Sequence, residues 1–232
     1  MSNTPFLLIP GLNSTPEVFR HVVPALWSFG PVMVANHTKG EGIAGIAAAI
    51  LRDAPPRLAL LGFSMGGYLA FEIVRRAPER VLKLCLLDTT ARPDTAEATA
   101  KRRQRIAITE AGGFAKTLDG AFEEAVHPDH RSRDDLRALS KAMSLAVGPE
   151  VYVRHQKAII GRVDSRPMLA SIQMPTAVIV GDSDAITPPD AAREMADGIA
   201  GAQLTVIERA GHMAVLEQPD ATVGAVVQWA RP

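Results

Sequence analysis

Six short apolar runs, separated by stretches of helical spacing, constrain the fold of this chain more than any other feature. They fall at residues 6–9, 32–35, 58–61, 81–87, 177–180 and 204–207. Most are nearly continuous in Val, Ile, Leu and Ala rather than alternating apolar with polar, as expected of strands covered on both faces. Helical patterns lie between them, at about 16–28, 41–53, 65–77, 190–199 and 215–230. Strand alternating with helix is the pattern of an α/β fold with a mostly parallel sheet. With 47% apolar residues in 232, such a domain can bury roughly 70–75% of the surface its unfolded chain exposes.

The alternation stops between about Arg92 and Met174. No strand pattern occurs there, but helical ones do. Asp94 with Glu97, and Ser132 with Asp135, have the spacing of capped helix starts, while Gly112-Gly113 and Gly148-Pro149 read as stops. The expectation is a core formed by 1–91 and 175–232, carrying a helical insertion over 92–174. Between Arg92 and Arg166 there are 14 Lys/Arg against 11 Asp/Glu. So slight an excess describes a solvated helical face rather than a charged binding site.

Over the whole chain 25 basic and 25 acidic side chains cancel, which argues against a dedicated nucleic-acid binder. The single cysteine, Cys85, forbids an internal disulfide, and its apolar neighbours make it a buried structural thiol. The amino terminus has no basic region and only a short apolar run, unlike a signal peptide, and no stretch approaches the length of a membrane span. A cytoplasmic protein without membrane or nucleic-acid partners is the expectation.

The chemistry is announced at residues 62–67. Gly62-Phe63-Ser64-Met65-Gly66-Gly67 follows an apolar strand and precedes a helical stretch, so G-x-S-x-G stands in the strand–turn–helix context it requires. A sharp turn there strains its central residue and leaves no room for side chains at 62 and 66. It exposes the Ser64 hydroxyl beside a helix N-terminus, where developing negative charge is favoured. Neither a dinucleotide nor a phosphate-loop glycine pattern occurs.

A serine hydroxyl needs a base, and histidine serves near neutral pH. Of six histidines, His212 in Ala210-Gly211-His212-Met213 lies beyond the carboxyl end of the last strand, the same sheet edge as Ser64. An acid must orient the imidazole. Asp182 and Asp184, in the loop after the fifth strand, and Asp88, after the fourth, are all placed for it. The chain order Ser…Asp…His, each residue following its own strand, strengthens the set. His127-Pro128-Asp129-His130 reads as a polar loop rather than a metal site.

These segments resemble the α/β-hydrolase superfamily over nearly the whole chain. Residues 62–67 resemble its nucleophile elbow. Gly181-Asp182-Ser183-Asp184 with Thr187-Pro188 resembles its acid loop, and Gly211-His212 with Leu216-Glu217-Gln218-Pro219 its closing histidine segment. The resemblance implies Ser64, Asp184 and His212 as a triad, because the family's aspartate is the third residue after the glycine. It implies an oxyanion hole from the N–H groups of Leu12 and Met65, no cofactor or metal, and a lid formed by the insertion. Small serine esterases and enol-lactonases are the members most alike, and the serine nucleophile speaks against a haloalkane dehalogenase.

Two departures stand out. Ile9-Pro10-Gly11-Leu12 replaces the usual His-Gly, although Pro10 is not the donor position and Asn13 could add a side-chain donor. The first core strand begins within ten residues of the start, so the expectation is a sheet of about six strands without the family's N-terminal hairpin. That leaves a sheet edge through which a homodimer could form. Phe63, Asn13, Met143, Tyr152, His155 and Ile159 are candidates for the substrate pocket, each with ordinary packing as its alternative role. The expected activity is ester or lactone hydrolysis of a small molecule through an acyl-enzyme. Its rivals are a lyase or carbon–carbon bond hydrolase on the same fold, and a non-catalytic ligand-binding protein.

Overall fold

The computed structural model describes residues 4–118 and 120–231; the amino-terminal reading therefore includes Met1–Asn3, which lie outside the described residues. Six parallel strands form one sheet in the order β2-β1-β3-β4-β5-β6. They are β1 (Phe6–Ile9), β2 (Val32–Val34), β3 (Leu58–Phe63), β4 (Val81–Leu87), β5 (Thr176–Gly181) and β6 (Gln203–Ile207). Each of the six apolar runs forms its expected strand, with ends shifted by two residues or fewer.

The near-continuous runs work because both faces of the sheet are covered. Leu7, Ile9, Leu58, Leu60, Leu84, Leu86, Val178 and Val180 join a core with residues of α2 (Gly42–Asp53), α3 (Met65–Arg76) and α9 (Pro189–Gly198). Their neighbours Phe6, Leu8, Ala59, Leu61, Cys85, Leu87 and Ile179 join a second core with α1 (Val22–Leu26) and α11 (Pro219–Ala230). The two-residue period of a strand divides one apolar run between two layers. Cys85 is fully buried, and burial pushes its thiol pKa up. None of the helices in the described residues is long and apolar enough to cross a membrane.

Several local expectations need correction; the stretch 215–230, for one, is split at Gln218 into Ala214–Glu217 and Pro219–Ala230. The stretch 16–28 is not one helix but a 3-10 turn, Pro16–Phe19, followed by α1. Pro24 has no N–H to donate and fits only within the first turn of a helix, so the helix restarts at Val22. Thr95, not Asp94, caps α4 (Ala96–Ile108), accepting from the Ala98 N–H at 3.1 Å, because Asp94 is engaged by Arg102 and Arg162. Ser132 caps nothing: α7 (Asp134–Val147) starts behind Arg133 without a side-chain cap.

Between β4 and β5 the chain is helical, with α5 (Phe114–Leu118), α6 (Ala121–Ala125) and α8 (Pro149–Ile160) joining α4 and α7. Gly112-Gly113 is a kink rather than a stop, since a π-type turn over Thr109–Gly113 leads directly into α5. Gly148 does end α7, and Pro149 opens α8.

The strand order fixes where a site can form. From β1 the chain crosses to β2, then returns past β1 to β3 and continues outward to β6. The reversal opens a crevice beyond the carboxyl ends of β1 and β3, where ligands bind in sheets of this type. The described non-glycine residues with positive φ are Asn13, Ser64, Asp88 and Arg209. All four follow strand ends on this edge, which is where backbone strain collects at functional sites.

Candidate active site

Ser64 occupies the turn from β3 into α3 at φ 54° and ψ −117°. Its N–H donates to the Leu87 carbonyl at 3.0 Å, and its own carbonyl accepts from Thr89 Oγ1 at 2.8 Å. Two glycines make the turn possible. A Cβ on Gly62 would overlap the Gly66 carbonyl, and one on Gly66 would overlap the Ile9 carbonyl at the end of β1. The elbow is thus pressed against the segment Ile9-Pro10-Gly11.

His212 comes from the loop between β6 and α10 (Ala214–Glu217) and is almost entirely buried. Its Nε2 lies 2.7 Å from Ser64 Oγ and its Nδ1 lies 2.8 Å from Asp184 Oδ2. The Asp184 carboxylate also accepts from the N–H groups of Ile186 and Thr187 and from Thr187 Oγ1, at 2.7–2.8 Å. Burial pushes the Asp184 carboxyl pKa up. The charge and hydrogen bond of His212, with the Thr187 donors, outweigh this and hold it below the usual range.

The other two aspartates have different work. Asp182 accepts from the N–H groups of Arg209 and Ala210, joining the acid loop to the histidine loop. Asp88 is fully buried at the end of β4, where Oδ1 accepts from the Gly181 N–H at 2.9 Å and Oδ2 has no partner. Burial, reinforced by the nearby Asp184 charge, pushes its pKa well above the ordinary value.

Leu12 follows Gly11, whose Cα is so close to the elbow that a Cβ there would lie 3.0 Å from Ser64 Cβ. Met65 opens α3, so its N–H has no acceptor in the preceding turn. Neither the Leu12 nor the Met65 N–H meets a backbone acceptor among the described residues.

The remaining candidates scatter. Phe63 lies under the site, its ring centroid 5.7 Å from that of His212. Asn13 stands at φ 59° with Oδ1 buried and unpartnered. Met143 is buried in the same apolar cluster as Phe63 and Met213. Tyr152 packs on Phe114 at 5.3 Å, and Ile159 belongs to the core that includes α2 and α3. His155 faces away from solvent against His37. The loop 127–130 donates to Glu217 instead of gathering ligands, and no group of three metal-ligating side chains occurs among the described residues.

Two residues near the site had no role in the sequence reading. Glu217 is buried; its Oε1 accepts from the Gly211 N–H at 2.8 Å. Its Oε2 accepts from the His127 N–H at 2.7 Å and from His130 Nδ1 at 2.8 Å. One carboxylate thus holds the histidine loop to the helical insertion. His37 follows β2 and donates from Nε2 to the Gly11 carbonyl at 3.0 Å. Its signal was available: a histidine just past a strand, on the same sheet edge as Ser64.

Comparison with known proteins identifies the family of the chain. Residues 54–219 match the family described as alpha/beta hydrolase fold. Among curated relatives, a pimeloyl-[acyl-carrier protein] methyl ester esterase of Nitrosospira multiformis is 28% identical over 191 residues, covering 76% of this chain and 70% of that protein. A solved esterase of Thermogutta terrifontis superposes with a TM-score of 0.88 at 28% identity, covering 97% of this chain and 89% of that one. The enol-lactonase of Burkholderia xenovorans shares the fold, with a TM-score of 0.86 at 24% identity over 98% of this chain and 92% of that one. The matched stretch is well over half of the chain and includes Ser64, Asp184 and His212, and the chain belongs to the α/β-hydrolase fold family.

Proposed function

We propose that this protein hydrolyses a small carboxylic ester or lactone through an acyl-enzyme on Ser64. The observation that carries the reading is the unbroken chain from Ser64 Oγ to His212 Nε2, and from His212 Nδ1 to Asp184, at 2.7 and 2.8 Å. His212 takes the Ser64 proton as the oxygen attacks the carbonyl carbon. The N–H groups of Leu12 and Met65 receive the oxyanion, and Asp184 holds the imidazole in its Nδ1–H tautomer. The leaving alcohol takes the proton from His212, and water releases the acid by the reverse route.

The helices of 92–174 act as the lid of this site, and Phe63, Asn13, Met143, Tyr152, His155 and Ile159 are its candidate lining or supporting residues. The names of the relatives bring methyl esters and lactones forward as the first substrates to try. Intact-mass analysis after treatment with a fluorophosphonate tests the nucleophile: one adduct, located on Ser64 and absent from Ser64→Ala, is expected. An adduct on another residue would overturn the assignment.

A further inference from the structure

The Leu12 N–H belongs to the same peptide unit as the Gly11 carbonyl. There is no cis peptide among the described residues, so the two groups point in opposite directions. Whatever fixes the carbonyl therefore aims the N–H. The Gly11 carbonyl accepts twice, from the Ser14 N–H at 3.2 Å and from His37 Nε2 at 3.0 Å. The first bond is a local turn; the second reaches across from the loop after β2.

His37 is itself held from the helical insertion. His155, on α8, donates from Nε2 to the His37 carbonyl at 2.9 Å, and the two rings pack at a 32° tilt with centroids 4.8 Å apart. The adjacent Arg154 donates to the Thr38 carbonyl at 2.5 Å. Carbonyl oxygens only accept, so each imidazole must carry its proton on Nε2. Burial, aided by the neighbouring His155 and opposed by the Gly11 carbonyl, lowers the His37 pKa to about 4. His37 thus remains a neutral donor at neutral pH.

We propose that His37 is a positioning residue for the oxyanion hole, its Nε2–H orienting and polarising the Gly11–Leu12 peptide so that the Leu12 N–H faces the oxygen developing on Ser64. This rests on the ester-hydrolase reading above. A carbonyl that accepts strengthens the N–H at the other end of its amide, and an oxyanion donor is effective only when aimed before the reaction starts. The helices over the site and the hole beneath are joined through α8, His155 and His37.

His37→Phe keeps a ring against His155 but removes the donor, whereas His37→Gln supplies a side-chain N–H. Active sites are counted by fluorophosphonate labelling and turnover of a p-nitrophenyl ester is expressed per labelled site. His37→Phe should label fully yet lose about 10–100-fold in kcat with KM changed by less than about threefold, and His37→Gln should recover most of the loss. A purely structural role would lower the number of labelled sites and leave kcat per site intact, and that result overturns the proposal. So does a His37→Gln no faster than His37→Phe. Should His37→Phe fail to fold, the ¹⁵N resonances of His37 in the unaltered protein decide: Nε2 protonated and neutral at neutral pH is required, and the other tautomer overturns it. Ser64→Ala run alongside separates the two failures, since full activity there sinks the serine-hydrolase reading itself.

Discussion

Replacing Glu217 by alanine tests how the histidine loop is held. The carboxylate receives three donors, and two of them are backbone N–H groups that have no other acceptor among the described residues. The Gly211 N–H is buried, and a buried donor left unpaired costs about 1–3 kcal/mol. The His127 N–H is only partly buried, so water can replace some of its bond and its loss costs about 1 kcal/mol. Glu217→Ala should therefore lose about 2–4 kcal/mol. In a domain of this size that lowers Tm by roughly 5–15 °C. Glu217→Gln keeps one acceptor oxygen but presents an amide donor to the other partners, so it should fall between alanine and the unaltered chain. Thermal and urea unfolding followed by circular dichroism give both numbers. A Glu217→Ala protein within about 0.5 kcal/mol of the unaltered one would refute the reasoning.

The fold should weaken on acidification through His37. An unfolded His37 binds its proton at the ordinary 6.5 and the folded one only near 4, so in that interval the unfolded state holds more protons and stability is lost as the pH is lowered. The loss reaches about 3 kcal/mol by pH 4 and should be missing from His37→Phe in urea titrations across the range; parallel pH curves would contradict it. Asp184→Asn should keep the fold but leave His212 free to take the wrong tautomer, lowering kcat by about 10⁴-fold; an effect smaller than tenfold would remove Asp184 from the mechanism. Gly66→Ala drives a Cβ into the Ile9 carbonyl and to 3.0 Å from that of Pro10. It should cost more than about 3 kcal/mol or prevent folding, and an unchanged Tm would show that the elbow and the β1 loop are not in contact.

Much of the fold was legible because its strands lie inside the sheet. A run such as Leu58-Ala59-Leu60-Leu61 has no solvent face, so its period is hidden but its continuity is plain. The elbow was legible because close backbone approach demands glycine at fixed positions. The choice among Asp88, Asp182 and Asp184 was not settled by the residues alone, since each follows a strand on the same edge. Hydrogen bonding across loops distinguishes them, and only Asp184 lies against His212. The helix caps misled for a related reason: Asp94 has a capping side chain, but Arg102 and Arg162 compete for it and Thr95 is adjacent. His37 and Glu217 were given no role because the partners that assign one are distant in sequence, Gly11 and His155 for the first, His127 and His130 for the second. Tyr152 and Ile159 show the limit of periodicity, which tells that a side chain faces inward but not what it meets there.

The central claim is that Ser64, activated by His212, carries the acyl group of an ester. Rapid-mixing hydrolysis of a short-chain p-nitrophenyl ester by the unaltered protein, Ser64→Ala and His212→Ala tests it most directly. The account predicts a p-nitrophenolate burst equal to the concentration of active sites followed by turnover, with both burst and turnover lost in each variant. Full turnover by Ser64→Ala, or an unaltered protein that neither hydrolyses esters nor reacts with a fluorophosphonate, would contradict it.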